Sequence, residues 1–358
     1  MQTQSAGRQW APNAPSATPI SLIELSPQTW SIIFERASLA LANRRFLVDR
    51  DAIPMAERVA EIIAASIPTP ELRKIRQFRS DSTSVLHIKG PSGLALTLPP
   101  TPTQGFGNDV EIQLFDALLL AVMYIAGFVP VAYDFENHWR LVRNVIPNPQ
   151  AKGKLSSHGY DEPLGFHTDN PCGEFERLQA PWTLSTLIPR VLGFICLRNS
   201  DRNGNAVSTD VLSLETMRRH CSAEAFAYLQ KPEFQVNPPA SNACVALREV
   251  PLIEPVDGSL FLRFNANPEQ VLGLTEGARW ALAESKIGLM RAESESMQFH
   301  LAPLSILLFD NYTVGHARRS FDPGDDLDRA RWLRRCYGLS STCSGHHIDR
   351  SSWPHVIR

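Results

Sequence analysis

The apolar residues in the first part of the chain recur at helical spacing. Across residues 21–66 they lie three or four positions apart, so that Val59 and Ile63 share one helix face. A second run of this kind covers residues 109–126. Between the two, the proline-rich stretch at 99–102 predicts an extended linker, because proline fixes φ and disfavours helix in the residue before it. The N-terminal part is therefore predicted to be helical.

The pattern changes at about residue 141, where short apolar runs bounded by turn residues replace the helical spacing. These runs cover residues 141–146, 192–197, 207–211, 260–264 and 304–309. Short strands separated by turn signals indicate a β-sandwich or jelly roll. Helical spacing returns only at 214–229 and 275–293. The predicted fold is mainly β with α, a double-stranded β-helix (jelly-roll) core flanked by N-terminal and inserted helices.

This pattern predicts one large domain over residues 20–340. Its helical part is expected at 20–140 and its jelly-roll core at about 141–340, with a helical insert at 210–296. Residues 1–19 are rich in Ser, Pro, Ala, Gln and Thr, a composition that predicts a disordered tail. Residues 341–358 are expected to form a C-terminal tail.

Composition narrows the range of partners. A formal net charge of -2 gives no electrostatic case for binding nucleic acid or an anionic membrane. No apolar run approaches the roughly 18 residues of a membrane span, and no export signal is evident at the N-terminus. The 6 cysteines form no CxxC pair, so we expect reduced thiols and a cytoplasmic location rather than a zinc site or a disulfide framework. The oligomeric state stays open.

Two histidines and a carboxylate form the candidate catalytic group. In His167-Thr168-Asp169 the outer residues lie two apart, so on a strand both point to the same side while Thr168 points away. His316 follows a distant predicted strand. Two histidines and one carboxylate are the protein ligands of the facial triad that holds non-haem Fe(II) and leaves positions open. In a chain with 10 histidines the pattern alone is weak.

The surroundings of this group resemble a known family. They are similar to motifs of the clavaminate synthase-like amino-acid hydroxylases, within the taurine dioxygenase-like Fe(II)/2-oxoglutarate-dependent superfamily. The resemblance runs in order over roughly residues 90–338. It rests on Ser156-Ser157, on Pro163-Leu164 before His167-Thr168-Asp169, on Asp310-Asn311 before His316, and on Arg331-Trp332-Leu333, with weaker likeness at Glu136 to Pro147.

The resemblance implies a role for each matching residue. His167, Asp169 and His316 would bind iron, while Arg331 and Thr209 would bind the C5 carboxylate of 2-oxoglutarate. Arg335 would hold the α-carboxylate of the substrate. Ser157 would meet the substrate amino group, assisted by Glu136 or Asn137. The implied cofactor is Fe(II), with 2-oxoglutarate and O2 as co-substrates.

The chain departs from the family pattern at several positions. Asp169 stands where the nearest members have Glu, and Ala317 replaces a glycine. Arg331 comes one residue later than expected, so Arg329 is an alternative for its role. Asn265 and Asn267 are neutral where members that take basic amino acids have acidic residues. This argues weakly against a basic substrate, although turn-forming asparagines explain the pair equally well.

The implied activity is hydroxylation of an unactivated C–H bond in a free amino acid or an amino-acid-derived metabolite, with release of succinate and CO2, in natural-product biosynthesis. The same fold acting on a sulfonate, a betaine or a carrier-bound aminoacyl group is an alternative, as is desaturation or cyclisation. A binding or sensor protein without catalysis and a zinc hydrolase are alternatives from other classes. A zinc hydrolase would leave Arg331 and Thr209 without a task.

Overall fold

The computed structural model describes residues 19–42, 51–78, 83–92, 96–105, 112–151, 160–177, 186–238, 244–340 and 355–357. Ser157 lies outside these residues, as do nearly all of the tail predicted at 1–19 and most of the segment 341–358. Within the described part, no helix is long and apolar enough to cross a membrane.

Helices cover the N-terminal part and the insert, as the apolar spacing predicts. They are α1 Pro27–Leu41, α2 Ala52–Ser66, α3 Thr69–Gln77, α4 Gln113–Ile125, α5 Leu214–His220, α6 Ala223–Tyr228 and α7 Glu276–Ala292. The single helix expected at 214–229 is two helices, because the Ser222 side chain accepts a hydrogen bond from the Ala225 amide and begins a new helix.

The strands are distributed along the whole chain. They are β1 Ile20–Glu24, β2 Val85–Lys89, β3 Val129–Tyr133, β4 Val142–Val145, β5 Leu164–His167, β6 Val191–Arg198, β7 Ser208–Ser213, β8 Phe234–Val236, β9 Leu247–Val250, β10 Ile253–Val256, β11 Ser259–Leu262, β12 Val271–Gly273, β13 Met297–His300, β14 Ile306–Asp310, β15 Val314–Arg318, β16 Trp332–Leu339 and β17 Val356–Ile357. The prediction of helix from residue 21 is wrong at its start, where β1 lies. The insert also carries strands, β8 to β12, between its helices.

Two sheets form the core of the fold. The larger has 8 strands, in the order β1-β2-β14-β6-β16-β3-β17, with β4 paired to β16. The smaller has 4 strands, in the order β13-β7-β15-β5. Apolar side chains of both sheets form one buried cluster, the inner core, which includes Val85, Phe194, Val211, Phe299, Leu307, Phe309, Val314 and Leu333. Two sheets that pack around a shared core in this way are the predicted jelly roll.

Successive side chains of a strand point alternately into the inner core and into one of two outer layers, where the sheets pack against helices. On β6, Phe194 belongs to the inner core, whereas Ile195 packs with the α2 and α4 side chains. On β7, Val211 is in the inner core, whereas Leu212 packs with α5 to α7. Because neighbouring strand residues point to opposite faces, this parity decides which side chains reach the space between the sheets. Helices cover the outer face of each sheet.

Candidate metal centre and the pocket around it

The structure brings His167, Asp169 and His316 together at one end of the smaller sheet. His167 ends β5 and is the register partner of His316 on β15. Their Nε2 atoms lie 3.4 Å (His167) and 3.8 Å (His316) from the same carboxylate oxygen, Asp169 Oδ1. One ligand atom from each of the three residues lies within 4.8 Å of the others, and all three residues are buried. Two imidazoles and a carboxylate in this arrangement suit a divalent metal such as Fe(II).

Strand parity explains why these side chains meet. On β15, Val314 is in the inner core and Ala317 packs in the outer layer, so His316 shares the inward parity of Val314. The Thr168 hydroxyl bonds instead to the backbone of Phe264, donating to its carbonyl at 3.3 Å and accepting from its amide at 3.1 Å. Thr168 thus points away from the ligands, as predicted.

Hydrogen bonds behind the ligands hold them in place. The Gly165 carbonyl, which can only accept, lies 2.9 Å from His167 Nδ1, so Nδ1 carries the hydrogen and Nε2 keeps its lone pair for a metal. The Asn311 amide group accepts from the Asp169 backbone N–H at 2.8 Å and donates to the Asp169 carbonyl at 3.0 Å. Burial, and then the neighbouring His167, lower the pKa of His316 to about 3, which keeps this imidazole in the neutral form that binds metals.

The second carboxylate oxygen of Asp169 is held by two residues of β16. Arg335 Nη1 and the Tyr337 hydroxyl each donate to Asp169 Oδ2, both at 3.1 Å. Burial on its own would raise the pKa of Asp169, but Arg335 and the two histidines hold it well below its usual range. Asp169 therefore presents a charged carboxylate whose Oδ1 faces both histidines.

Glu136 joins the same network from the turn before β4. Arg335 Nη2 donates to Glu136 Oε1 at 2.6 Å, and Arg143 Nη1 lies 3.4 Å from the same oxygen. Asn170 Nδ2 donates to Glu136 Oε2 at 3.1 Å. Arg143 also donates to Asn137 Oδ1 at 3.2 Å. Arg335, placed by the family resemblance at the substrate carboxylate, is thus ion-paired with two carboxylates of the protein.

Arg331 lines the same pocket as the candidate metal ligands and differs from Arg335 in its partners. Its side chain is buried, and its Nε donates to Asn199 Oδ1 at 3.1 Å. Among the described residues, no carboxylate forms an ion pair with it. Burial, and then the neighbouring Arg318, lower its pKa to about 9. Arg331 shares a pocket with Thr209, Arg318 and the three candidate metal ligands. A buried cation without an acidic partner indicates an anion site.

The remaining arginines of this segment point elsewhere. Arg329 is exposed beside Asp326, so the pocket contains Arg331 and not the alternative. Arg334 has the opposite strand parity and donates from Nη2 to Asp116 on α4 at 2.6 Å. Arg334 therefore has a structural role and lies outside the pocket.

Some contacts of the site were not singled out from the sequence. The sequence could have pointed to Tyr337, since it follows Arg335 by two positions and so lies on the same face of β16. The same spacing could have pointed to Arg318, which follows His316 by two positions on β15. Asn311 was noted only as part of a motif, and its bonds to Asp169 give it a defined task. Asn265 forms a β-bridge with His167, so the neutral segment lies beside the candidate metal ligands.

Comparisons with known proteins identify the fold. No family model and no curated protein matches the chain. Among solved structures, an asparagine oxygenase in complex with Fe(II), 2S,3S-3-hydroxyasparagine and succinate has a TM-score of 0.76 at 22% identity, covering 94% of this chain and 98% of its own. The non-heme iron oxygenase OrfP in complex with Fe and alpha-ketoglutaric acid has a TM-score of 0.72 at 20% identity, covering 94% of this chain and 100% of its own. OrfP in complex with Fe, succinate and (3S)-hydroxy-L-Arg has a TM-score of 0.71 at 20% identity, covering 94% and 99%. The chain therefore has the jelly-roll fold of these oxygenases, and the predicted fold class is confirmed.

Proposed function

We propose that the protein is an Fe(II)/2-oxoglutarate-dependent dioxygenase that hydroxylates an unactivated C–H bond of a free amino acid or an amino-acid-derived metabolite. The observation that carries this proposal is the pairing of two features in one pocket. One is the buried cluster of His167, Asp169 and His316, and the other is the buried Arg331 without an acidic partner among the described residues. The likeness in fold to an asparagine oxygenase and to OrfP supports the same activity.

The residues of the pocket fit both groups that this activity requires. His167, Asp169 and His316 would hold Fe(II) and leave coordination positions open. Arg331 would bind the C5 carboxylate of 2-oxoglutarate through a planar fork, with the Thr209 hydroxyl as a further donor. Bound Fe(II) and 2-oxoglutarate supply the oxidation by O2, with release of succinate and CO2. The protein contributes binding, orientation and the exclusion of water.

For the substrate we propose a zwitterionic amino acid held by the network around Glu136. Arg335 would bind its α-carboxylate, while Glu136, Asn137 and Ser157 would face its amino group. The ion pair between Arg335 and Glu136 supports this, since it presents one charge of each sign beside the candidate metal site. The neutral Asn265 next to His167 favours an uncharged substrate side chain over a basic one. A small-molecule substrate and a cytoplasmic location complete the proposal.

The first experiment tests metal and co-substrate binding before turnover. Under anaerobic conditions, Fe(II) together with 2-oxoglutarate should give the weak visible charge-transfer band of a chelated keto acid. Under air, release of succinate that depends on an added amino acid should then identify the substrate from a panel of the twenty amino acids and their derivatives. The absence of both the band and the succinate would exclude the proposed activity and favour a zinc hydrolase or a binding protein.

A pair of variants assigns the signal to the candidate centre. His316→Ala should lose iron binding and turnover together, because it removes one of three ligands. His300→Ala is the matched control, since His300 is an exposed histidine of β13 and its ring lies beside the Ala206 carbonyl. We expect His300→Ala to behave as the wild type. Equal losses in the two variants would contradict the assignment.

A further inference from the structure

Among the described residues that line the pocket, Arg318 is a cation to which no role has been assigned so far, and it lies on β15. It follows His316 by two positions and so has the same parity, whereas Ala317 between them packs in the outer layer. In the pairing of β15 with β7, Arg318 is the register partner of Thr209. Arg318 therefore stands directly across from the hydroxyl proposed to bind the co-substrate.

The guanidinium of Arg318 is buried and held by the groups around it. The residue is only 8% exposed, which places its charge inside the pocket rather than in solvent. Its Nη2 donates to the Glu162 carbonyl at 2.8 Å, and its guanidinium carbon lies 5.4 Å from the centre of the Phe321 ring. These contacts fix the direction of the side chain. A guanidinium fixed in this way is prepared to bind a planar anion.

Two buried guanidinium groups, those of Arg318 and Arg331, lie at this end of the pocket. Arg318 and Arg331 are close enough for the charge of Arg318 to act on Arg331. Asp161 acts on Arg318, whereas among the described residues no carboxylate acts on Arg331. A carboxylate bound between Arg318 and Arg331 would offset the repulsion between these two buried positive charges.

We propose that Arg318 is a second binding residue for the distal carboxylate of the co-substrate, beside Arg331 and Thr209. In this role Arg318 selects 2-oxo dicarboxylic acids over 2-oxo acids that end in a methyl group. The inference rests on the proposed function, because it assumes a keto acid at the candidate metal centre.

Binding of two keto acids separates this role from a purely structural one. The probes are 2-oxoglutarate and 2-oxopentanoate, which lacks the distal carboxylate, titrated calorimetrically into the full-length protein loaded with Mn(II). The wild type should prefer 2-oxoglutarate strongly. Arg318→Met should weaken 2-oxoglutarate binding about tenfold to hundredfold, the range for a hydrogen bond between charged groups, and leave 2-oxopentanoate binding unchanged. Arg331→Met should show the same pattern.

The control is Arg319→Met, at the next position. Arg319 is half exposed and donates to Asp210 Oδ2 at 2.8 Å, outside the pocket, so its loss should leave both affinities as in the wild type. If Arg318→Met weakens both keto acids equally, or neither, the inference is wrong. Should Arg318→Met fail to fold, Arg318→Lys replaces it, because lysine keeps the positive charge but lacks the planar guanidinium. If Arg318→Lys then prefers 2-oxoglutarate over 2-oxopentanoate as strongly as the wild type does, the inference is wrong. If the wild type binds neither keto acid, the proposed function itself fails.

Discussion

Replacing Tyr337 by phenylalanine should weaken metal binding without disturbing the fold. The Tyr337 hydroxyl lies 3.1 Å from Asp169 Oδ2 and 3.3 Å from Glu136 Oε1. Burial raises the pKa of this hydroxyl well above its usual value, so it stays protonated and donates. Tyr337→Phe removes that donor and keeps the ring, which packs edge-on against Tyr133 with centroids 5.6 Å apart.

The size of the effect follows from the contacts that remain. A hydrogen bond to a charged group contributes about 1.5–3 kcal/mol. Arg335 keeps its bond of 3.1 Å to Asp169 Oδ2, and the single hydroxyl proton is shared between two carboxylates, so we expect the lower end of that range. A loss of about 1.5 kcal/mol corresponds to an affinity for Fe(II) roughly tenfold weaker. Loss of a partner behind a metal ligand commonly weakens metal binding by about 10–100-fold.

Anaerobic titration with Fe(II), repeated with Mn(II), measures this change. The matched control is Tyr133→Phe, which removes a buried hydroxyl that donates to the Leu187 carbonyl at 2.7 Å and does not touch Asp169. That variant should lose about 1 kcal/mol of folding free energy and keep the wild-type metal affinity. If Tyr337→Phe binds metal as tightly as Tyr133→Phe does, the hydroxyl does not position the ligand and the reasoning is refuted.

Two further predictions concern stability. Burial, and then nearby Lys89, lower the pKa of His87 from its ordinary 6.5 to about 4. The stability linked to its neutral form is therefore present above pH 6.5 and falls as the pH drops toward 4. His87→Phe should abolish up to about 3 kcal/mol of this pH dependence, measured as the unfolding free energy at each pH. Gly173→Ala should destabilise the protein by about 1–3 kcal/mol, because its Cβ would lie 2.6 Å from the Ile188 amide nitrogen. Gly315→Ala, whose Cβ would meet nothing nearer than 3.6 Å, is the control, and equal unfolding free energies in the two variants would contradict the steric argument.

The arginines of the β16 segment show what the sequence can predict. Strand periodicity gives Arg331 and Arg335 the same parity and Arg334 the opposite one. In the structure, Arg331 and Arg335 line the pocket, whereas Arg334 pairs with Asp116 on α4. The alternation of strand residues therefore predicts, from the sequence alone, that Arg331 and Arg335 lie on one face and Arg334 on the other. It works here because β16 is long, with a buried face on each side.

Strand β1 shows where the periodic signal fails. Its apolar Ile20 and Leu22 are 44% and 42% exposed, while Ile23 is fully buried. The apolar residues of β1 therefore do not all lie on the face of the strand that is buried. The strand forms because β2 offers an edge, and β1 adds to it in parallel. That edge comes from a distant part of the chain, so local spacing could not reveal it and helix was predicted instead.

The ion pair between Arg335 and Glu136 joins distant parts of the chain, so no local sequence pattern predicts it. Glu136 precedes a turn in which Asn137, His138 and Trp139 have left-handed φ angles of 58°, 50° and 65°. Only the folded chain brings Glu136 within 2.6 Å of Arg335. This pairing restricts the substrate, because a buried carboxylate is destabilised when one of its cationic partners is taken away. A substrate with a carboxylate but no ammonium group would bind Arg335 and break its ion pair with Glu136. The Glu136 carboxylate would then have fewer cationic partners. A substrate with both a carboxylate and an ammonium group would replace the pair charge for charge, and for this reason we expect amino acids to be turned over in preference to sulfonates or keto acids that lack an amino group.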